Sequence, residues 1–473
     1  MKGKYKKEPE VVRNPKLPTY PPSDEQDAFF SSLSRGGSRL LSASPGSGKS
    51  TTLTWAMQLI GQEKAAMVTF GKDIARDIEP RCPSWLDVGT CCSFGYKALA
   101  KKHGRLFLRF NLVQDSIIEL FPYLNPFEAE DGDRSEMFQS MRDSITLIDR
   151  LRLGMFPLSE SISLVESLSL SPFNEVLGNL DKIISLIRKD PSKPDFTGMI
   201  ELPILLGYEL PRYDTVYTDE CQDFSPLMIK FIEGLSPKRV IAAGDEDQAI
   251  YGWAGASPTA MQDISSLFGA EVMQLNVCYR CGTDIVAKAK EVVDKIIPFS
   301  GNGKGVVETV NSIDLSMPDG SMILSRRNAR LVAPCLKLIR NGRKAIIKGR
   351  DIGEQMIQSI GKPKSLDDLV AKFSNPKKGR EDEAECIIEF ANNSPSVTEV
   401  IDKIKAIFSD STKGIICSSI HRAKGKEASH ITIVDYSNVR MKRDGMSELD
   451  KHQERCLEFV ALTRPKDKLS LIP

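Results

Sequence analysis

Two short stretches carry residue types suited to phosphoryl chemistry. The first is "SPGSGKST" (Ser44–Thr51), which follows the apolar run "RLLSAS" and opens the helix-like run "TTLTWAMQLI". Backbone N–H groups of such a turn, backed by a helix N-terminus, cradle phosphates. Ser44, Pro45, Gly46, Ser47, Gly48 and Thr51 form the cradle. Lys49 is spaced to reach the β- and γ-phosphates, and the Ser50 hydroxyl to ligate Mg²⁺. Ala43 stands where the first glycine of this pattern is usual, and is small enough for the turn. The second stretch is "VYTDECQD", where Asp219 ends an apolar run and would hold Mg²⁺ through water. Glu220 beside it would orient and deprotonate the attacking water. Phosphoryl transfer is mostly positioning and charge neutralisation, so it needs the metal, the lysine and the base together. A phosphate cradle alone also fits a kinase or a GTPase. Neither accounts for Gln222 and Asp223, nor for "GDEDQAIYGWAGA" (Gly244–Ala256), which sets Tyr251 and Trp253 among glycines. Aromatics there either pack inward or meet something flat outside, such as a base.

These residues need a scaffold. "AAMVTF", "TVYTDE" and "RVIAAGD" read as buried parallel strands, largely apolar and ending in polar residues, the ends at which open α/β sheets place ligands. With 473 residues the chain is too long for one core. The expected class is α/β, with two domains built on parallel sheets, each interrupted by a mostly helical insertion. The expected boundaries are a basic, Pro-rich arm over 1–20, a first domain over 21–100 and 206–276, and a helical insertion over 101–205. A second domain follows over 277–350 and 414–473, with a short insertion over 351–413. The formal net charge of +1 leaves nucleic-acid binding to local basic grooves. Apolar runs are too short to span a membrane, and the first residues lack the apolar core of a signal peptide. The ten cysteines and four histidines are scattered, and "CYRC" (Cys278–Cys281) is a lone CxxC, so reduced thiols rather than a metal cluster are expected.

Taken in order, the motifs resemble those of superfamily 1 DNA helicases of the UvrD/Rep/PcrA type. "DEQDAF" looks like the Q motif, "SASPGSGKST" motif I, "VTFGKDIA" motif Ia and "VGTCCSF" motif Ib. "TDECQD" looks like motif II, "GDEDQAIYGWAGA" motif III, "LNVCYRC" motif IV, "SSIHRAKGKEA" motif V and "QERCLEFVALTR" motif VI. The resemblance implies two RecA-like P-loop NTPase domains and ATP and Mg²⁺ as cofactors, with Gln26 recognising adenine, Tyr279 stacking on it, Glu427 bonding the ribose and Gly425 also among the nucleotide-binding residues. It implies Gln248 as γ-phosphate sensor, Arg280 and Arg464 as arginine fingers from the second domain, and Thr69, Phe70, Thr90, Tyr251, Trp253 and His421 as DNA contacts. Aromatic stacking on bases ignores sequence, which suits a motor that tracks along a strand.

The chain departs from the family in places. Ala254 stands where the family usually has Arg, Cys92 where motif Ib usually has His, and "GKD" follows Phe70 in motif Ia. The second insertion is short and the chain stops soon after Arg464, so a compact motor is expected. The implied activity is ATP-dependent translocation on single-stranded DNA, 3′ to 5′, with separation of duplex strands at junctions. The alternative is a DNA-stimulated ATPase that does not unwind and works with a nuclease or another repair, replication or defence partner. A cytoplasmic monomer is expected, in the host cytoplasm if the source is viral.

Overall fold

The computed structural model describes residues 21–61, 63–128, 134–361, 363–376, 380–441 and 446–473. The basic arm expected over 1–20 lies outside the described residues. These residues fall into two compact units. One runs up to Ala43 and from Lys49 to Leu275; the other joins Ser44–Gly48 with Asn276–Pro473.

The first unit is built on six strands: β1 (Arg39–Ala43), β2 (Ala65–Thr69), β3 (Asp87–Thr90), β4 (Thr215–Asp219), β5 (Arg239–Gly244) and β6 (Glu271–Leu275). Their order is β3-β2-β4-β5-β1-β6, and every pairing is parallel. β1, β2 and β4 are buried along their whole length. That is why they read as nearly continuous apolar runs rather than as alternating ones. Helices cover both faces. Phe29, Leu53 and Met57 pack on one side, and Phe94, Phe224 and Phe231 on the other.

Between β3 and β4 the chain leaves the sheet and forms helices, among them Leu112–Leu120, Arg134–Leu153, Leu180–Arg188 and Phe196–Leu205. The first three of these carry a separate apolar core around Ile117, Leu147, Ile148, Ile183 and Ile187, whereas Ile200 of the fourth packs with the sheet layer. A buried ion network joins three of the helices. Arg152 donates to Asp195 at 2.6 and 2.9 Å and to Glu201 at 3.0 Å, and Glu201 also takes Arg188. Asp195 simultaneously caps the helix Phe196–Leu205 by accepting from the Gly198 N–H at 2.6 Å. One carboxylate thus fixes both the ion pair and the start of the helix that returns the chain to the sheet.

The second unit has a two-stranded pair, β7 (Val277–Cys278) and β8 (Ile297–Pro298). It also has a larger sheet made of β9 (Val306–Thr309), β10 (Met322–Ser325), β11 (Ala345–Lys348), β12 (Phe408–Ser409), β13 (Ile415–Ser419), β14 (Ala428–Ile433) and β15 (Pro465–Leu471). The order is β12-β11-β13-β10-β14-β15-β9, again parallel throughout. The α/β class with two parallel sheets expected from the sequence is therefore the observed one. The helices between β11 and β12 (Arg350–Ile360, Leu366–Ser374, Glu381–Asn392 and Val397–Ile407) differ from the first helical segment. Among the described residues they form no core of their own. Cys386, Ile387, Phe390 and Ile404 pack in the same cluster as Ile323, Leu331, Ile347 and Cys417 of the sheet layer. Asp382 also accepts from the backbone N–H groups of Asn328 and Ala329, tying this segment to the helix after β10. Among the described residues no helix is long and apolar enough to cross a membrane.

Candidate nucleotide and strand-tracking site

The strand order sets out the first unit's candidate residues in a row. β3, β2, β4, β5 and β1 are successive neighbours running the same way, so their carboxyl ends share one edge. Along it come Thr90, then Thr69, then Asp219, then Asp245 just past β5, then Ala43 at the end of β1. Open α/β sheets bind ligands at such an edge.

The loop Ser44–Gly48 runs from β1 directly into the helix Lys49–Ile60. Gly46 and Gly48 have φ of +72° and +86°. Residues with a side chain rarely adopt that conformation, and the turn needs it. Ser44 Oγ and Ser47 Oγ are buried and, among the described residues, have no hydrogen-bond partner. Buried hydroxyls are normally satisfied, so two orphans in one loop fit a site that takes phosphate oxygens.

Lys49, the first residue of the helix, places its Nζ 3.0 Å from Glu220 Oε1. Burial works against its charge, but the carboxylates of Glu220, Asp219 and Asp245 outweigh this and push its pKa up to about 12. Ser50 Oγ donates to Asp219 Oδ2 at 2.5 Å. A hydroxyl and a carboxylate at this separation are the hard oxygen ligands that Mg²⁺ takes, with water and phosphate completing its shell. Burial and the Glu220 charge raise the Asp219 pKa, against the pull of Lys49 and Ser50. A site that strains to hold its negative charge is one where a cation binds favourably. Glu220 itself has a left-handed backbone, φ +54° and ψ +38°. That is uncommon for a residue with a side chain and clusters at functional sites.

From Glu220 a chain of hydrogen bonds leads toward the aromatics. Gln222 Nε2 donates to Glu220 Oε2 at 2.6 Å, and the Asp245 N–H donates to Gln222 Oε1 at 3.0 Å. Gln248 Nε2 donates to Asp245 Oδ2 at 2.7 Å. Three residues on, Tyr251 lies against Phe70, with ring centroids 5.5 Å apart and planes 15° from parallel, and Trp253 meets Tyr251 edge-on at 6.2 Å. Trp253 is 63% exposed, so it contributes little to core packing.

Residues 198–269 match the UvrD/REP helicase N-terminal domain. This span holds β4, the acid pair, β5, Gln248 and both aromatics. The chain is similar to superfamily 1 helicases of the UvrD type. It is 34% identical to DNA helicase II of Haemophilus influenzae over 93 residues, 19% of this chain and 13% of that protein. It is 24% identical to the ATP-dependent DNA helicase PcrA of Bacillus subtilis over 289 residues, 54% of this chain and 37% of that one. F-box DNA helicase protein 1 of Schizosaccharomyces pombe is 23% identical over 313 residues, 57% of this chain and 35% of its own. The matched segments thus span well under half the length of these relatives. A solved arterivirus nonstructural protein 10, a helicase, aligns over 92% of this chain and 59% of its own at 12% identity, with a TM-score of 0.36, too loose to bear on the assignment.

The other candidates of the first unit have internal partners. The Gln26 amide accepts from the Ser23 N–H at 3.0 Å and donates to Thr52 at 2.8 Å, so adenine recognition would exchange one of these bonds. Thr90 caps the helix Cys91–His103 by accepting from the Ser93 N–H, and Thr69 Oγ1 donates to the Gly71 carbonyl. Thr51 lies in the first turn of the helix that Lys49 opens, and Pro45 is buried in the loop.

In the second unit, Glu427 and Arg464 immediately precede β14 and β15, which are neighbours in register at Ala428 and Pro465. Arg280 joins them. Its Nε lies 2.5 Å from Glu427 Oε2, and its Nη1 donates to the Thr463 carbonyl at 3.2 Å. Lys466 takes the other Glu427 oxygen at 2.6 Å. Burial opposes the Glu427 charge, but Lys466 and Arg280 together lower its pKa. Arg464 is almost fully buried and donates to the Val460 carbonyl and the Thr463 hydroxyl. Tyr279 is half-exposed, with Phe299 beside it at 4.8 Å. Gly425, at φ +77°, turns the chain between His421 and Glu427. His421 follows the carboxyl end of β13, the opposite end of the parallel strands from Glu427 and Arg464. Burial, Arg326 and Lys424 lower its pKa to about 4, so it is neutral near pH 7. All ten cysteines are free thiols.

Sequence reasoning gave no role to Thr52, Asp245, Phe299 or Lys466, and noted Gln222 without one. Gln222 had a signal, since a polar amide two residues past a catalytic-type acid pair is poorly explained otherwise. The rest are recognisable only by what they touch.

Proposed function

We propose that the protein is an ATP-dependent DNA helicase or translocase that moves on single-stranded DNA from 3′ to 5′ and separates duplex strands at junctions. The observation that carries this reading is the hydrogen-bonded path Glu220–Gln222–Asp245–Gln248, which leads from the acid pair to the Tyr251–Trp253 segment. The similarity to the named DNA helicases supports DNA as the track.

In this reading the loop N–H groups, Ser44, Ser47 and Lys49 bind the ATP phosphates, and Ser50 and Asp219 hold Mg²⁺. The metal, when bound, neutralises charge on the β- and γ-phosphates. Glu220 exchanges Lys49 for the attacking water, orients it and accepts its proton. Arg280 and Arg464 stabilise the charge on the transferring phosphoryl group. Gln248 reports the state of the γ-phosphate through Asp245 and Gln222, and Tyr251, Trp253 and Phe70 change their grip on the bases.

The test is ATP hydrolysis with and without single-stranded DNA, beside unwinding of duplexes with 3′ or 5′ tails. DNA-stimulated hydrolysis with unwinding of the 3′-tailed duplex is expected. Stimulated hydrolysis without unwinding of either duplex would assign the protein to the non-unwinding ATPases. Hydrolysis indifferent to DNA would refute the tracking role.

A further inference from the structure

Arg150 belongs to no motif of the sequence. It lies on the helix Arg134–Leu153, three residues before Leu153, so the two share a helix face. That face is set against the loop after Trp253. A methyl group built on Gly255 would meet Leu153 Cδ1 at 2.9 Å, Leu153 Cβ at 3.2 Å and Arg150 Nη1 at 3.7 Å. Gly255 has φ +96°, which fits both the turn and the close approach of this helix. The guanidinium therefore stands beside the segment that presents the exposed Trp253 and, behind it, Tyr251 and Phe70.

The charge on Arg150 is poorly compensated. The side chain is half-buried, and burial lowers its pKa. Its neighbour Asp149 supports the charge only in part, because that carboxylate is shared with Arg152, 3.8 Å away, and burial pushes the Asp149 carboxyl up to about 6. Arg152 is already held by Asp195 and Glu201. Among the described residues, no carboxylate forms an ion pair with Arg150. A partly desolvated cation without a fixed counter-ion carries a free-energy cost that an arriving anion relieves.

A single strand stacked on exposed aromatics brings such an anion. Its bases lie on the rings and its phosphates run alongside. We infer that Arg150 binds a phosphate of the strand whose bases lie on Tyr251 and Trp253, making the helical segment one jaw of the track. This rests on the strand-tracking reading above and adds to it a contact from outside the motifs.

The experiment is equilibrium binding of a fluorescent oligothymidylate to the full chain, measured against salt. Single-strand binding loses about 0.7 in the slope of log K against log salt for each phosphate contact removed. Arg150→Gln is expected to flatten the slope by about that amount, whereas Arg150→Lys keeps the charge and the wild-type slope. Trp253→Ala is expected to weaken binding with the slope unchanged, because stacking releases no counter-ions. A purely structural role for Arg150 would lower affinity without this charge-specific change in slope. An Arg150→Gln slope equal to wild type, or an Arg150→Lys slope as flat as that of Arg150→Gln, would overturn the inference. Wild-type protein that does not bind the oligonucleotide would overturn the tracking reading, and this inference with it.

Discussion

Replacing Lys49 with Met tests the carboxylate cluster without any nucleotide. Lys49 is the cation facing Glu220, Asp219 and Asp245, and their attraction more than offsets its burial. Raising its pKa from 10.5 to about 12 corresponds to about 2 kcal/mol in favour of the charged form, at about 1.4 kcal/mol per pKa unit. Both side chains of the Lys49–Glu220 pair are largely buried, so solvent screening removes little of this. Because the folded-state pKa is raised, the stabilisation is complete below about pH 10.5 and is lost as pH rises through about 12. Thermal melting of ligand-free protein at about pH 8 therefore sees all of it, and a loss of about 2 kcal/mol lowers the transition by roughly 4–8 °C in a domain of this size. The deficit should shrink in acid, where Asp219, already pushed up by burial and Glu220, takes a proton and relieves the repulsion. Lys49→Met/Glu220→Gln should regain much of the lost stability, because the facing charge is gone as well. Equal melting of wild type and Lys49→Met at neutral pH would refute the cluster, as would a double variant less stable than the single one.

Three further outcomes follow from the geometry. Trp253→Ala should lose about 1–3 kcal/mol of single-strand affinity with unchanged melting, since the ring is mostly exposed; a large drop in melting temperature would make it a packing residue instead. Lys466→Met leaves Arg280 alone with the Glu427 carboxylate, so if Arg280 acts as the proposed finger it should be harder to release and kcat for ATP hydrolysis should fall about 5-fold, the equivalent of roughly 1 kcal/mol for a partly exposed pair. Lys466→Arg should restore it, and an unchanged kcat in Lys466→Met would show that the pair does not restrain Arg280. Arg152→Met strands Asp195 in the buried network and leaves Glu201 with Arg188 alone, and should cost about 3–5 kcal/mol, measured by denaturant unfolding; a near-neutral change would mean that the network is solvated.

The sequence by itself determined the class of fold and pointed to the residues from which the proposed chemistry is built. Strands buried on both faces must be apolar along their length, so β1, β2, β4 and β5 announce themselves and the polar residues at their ends. A phosphate cradle needs glycines, a lysine and a hydroxyl at set spacing, so Ser44–Thr51 is legible from local rules alone. Tertiary structure decided what depends on which strands are neighbours. Placing β4 between β2 and β5 sets Asp219 between Thr69 and Asp245, and allows Gln222, Asp245 and Gln248 to join across two loops. Burial, which no local pattern measures, decided that Arg464 is held among backbone carbonyls, that His421 is neutral near pH 7, and that the helices after β11 share the core of their sheet. Packing of a helix from a distant part of the chain against Gly255 brought Arg150 to the aromatic segment, because proximity of that kind is a property of the folded surface and leaves no spacing in the sequence.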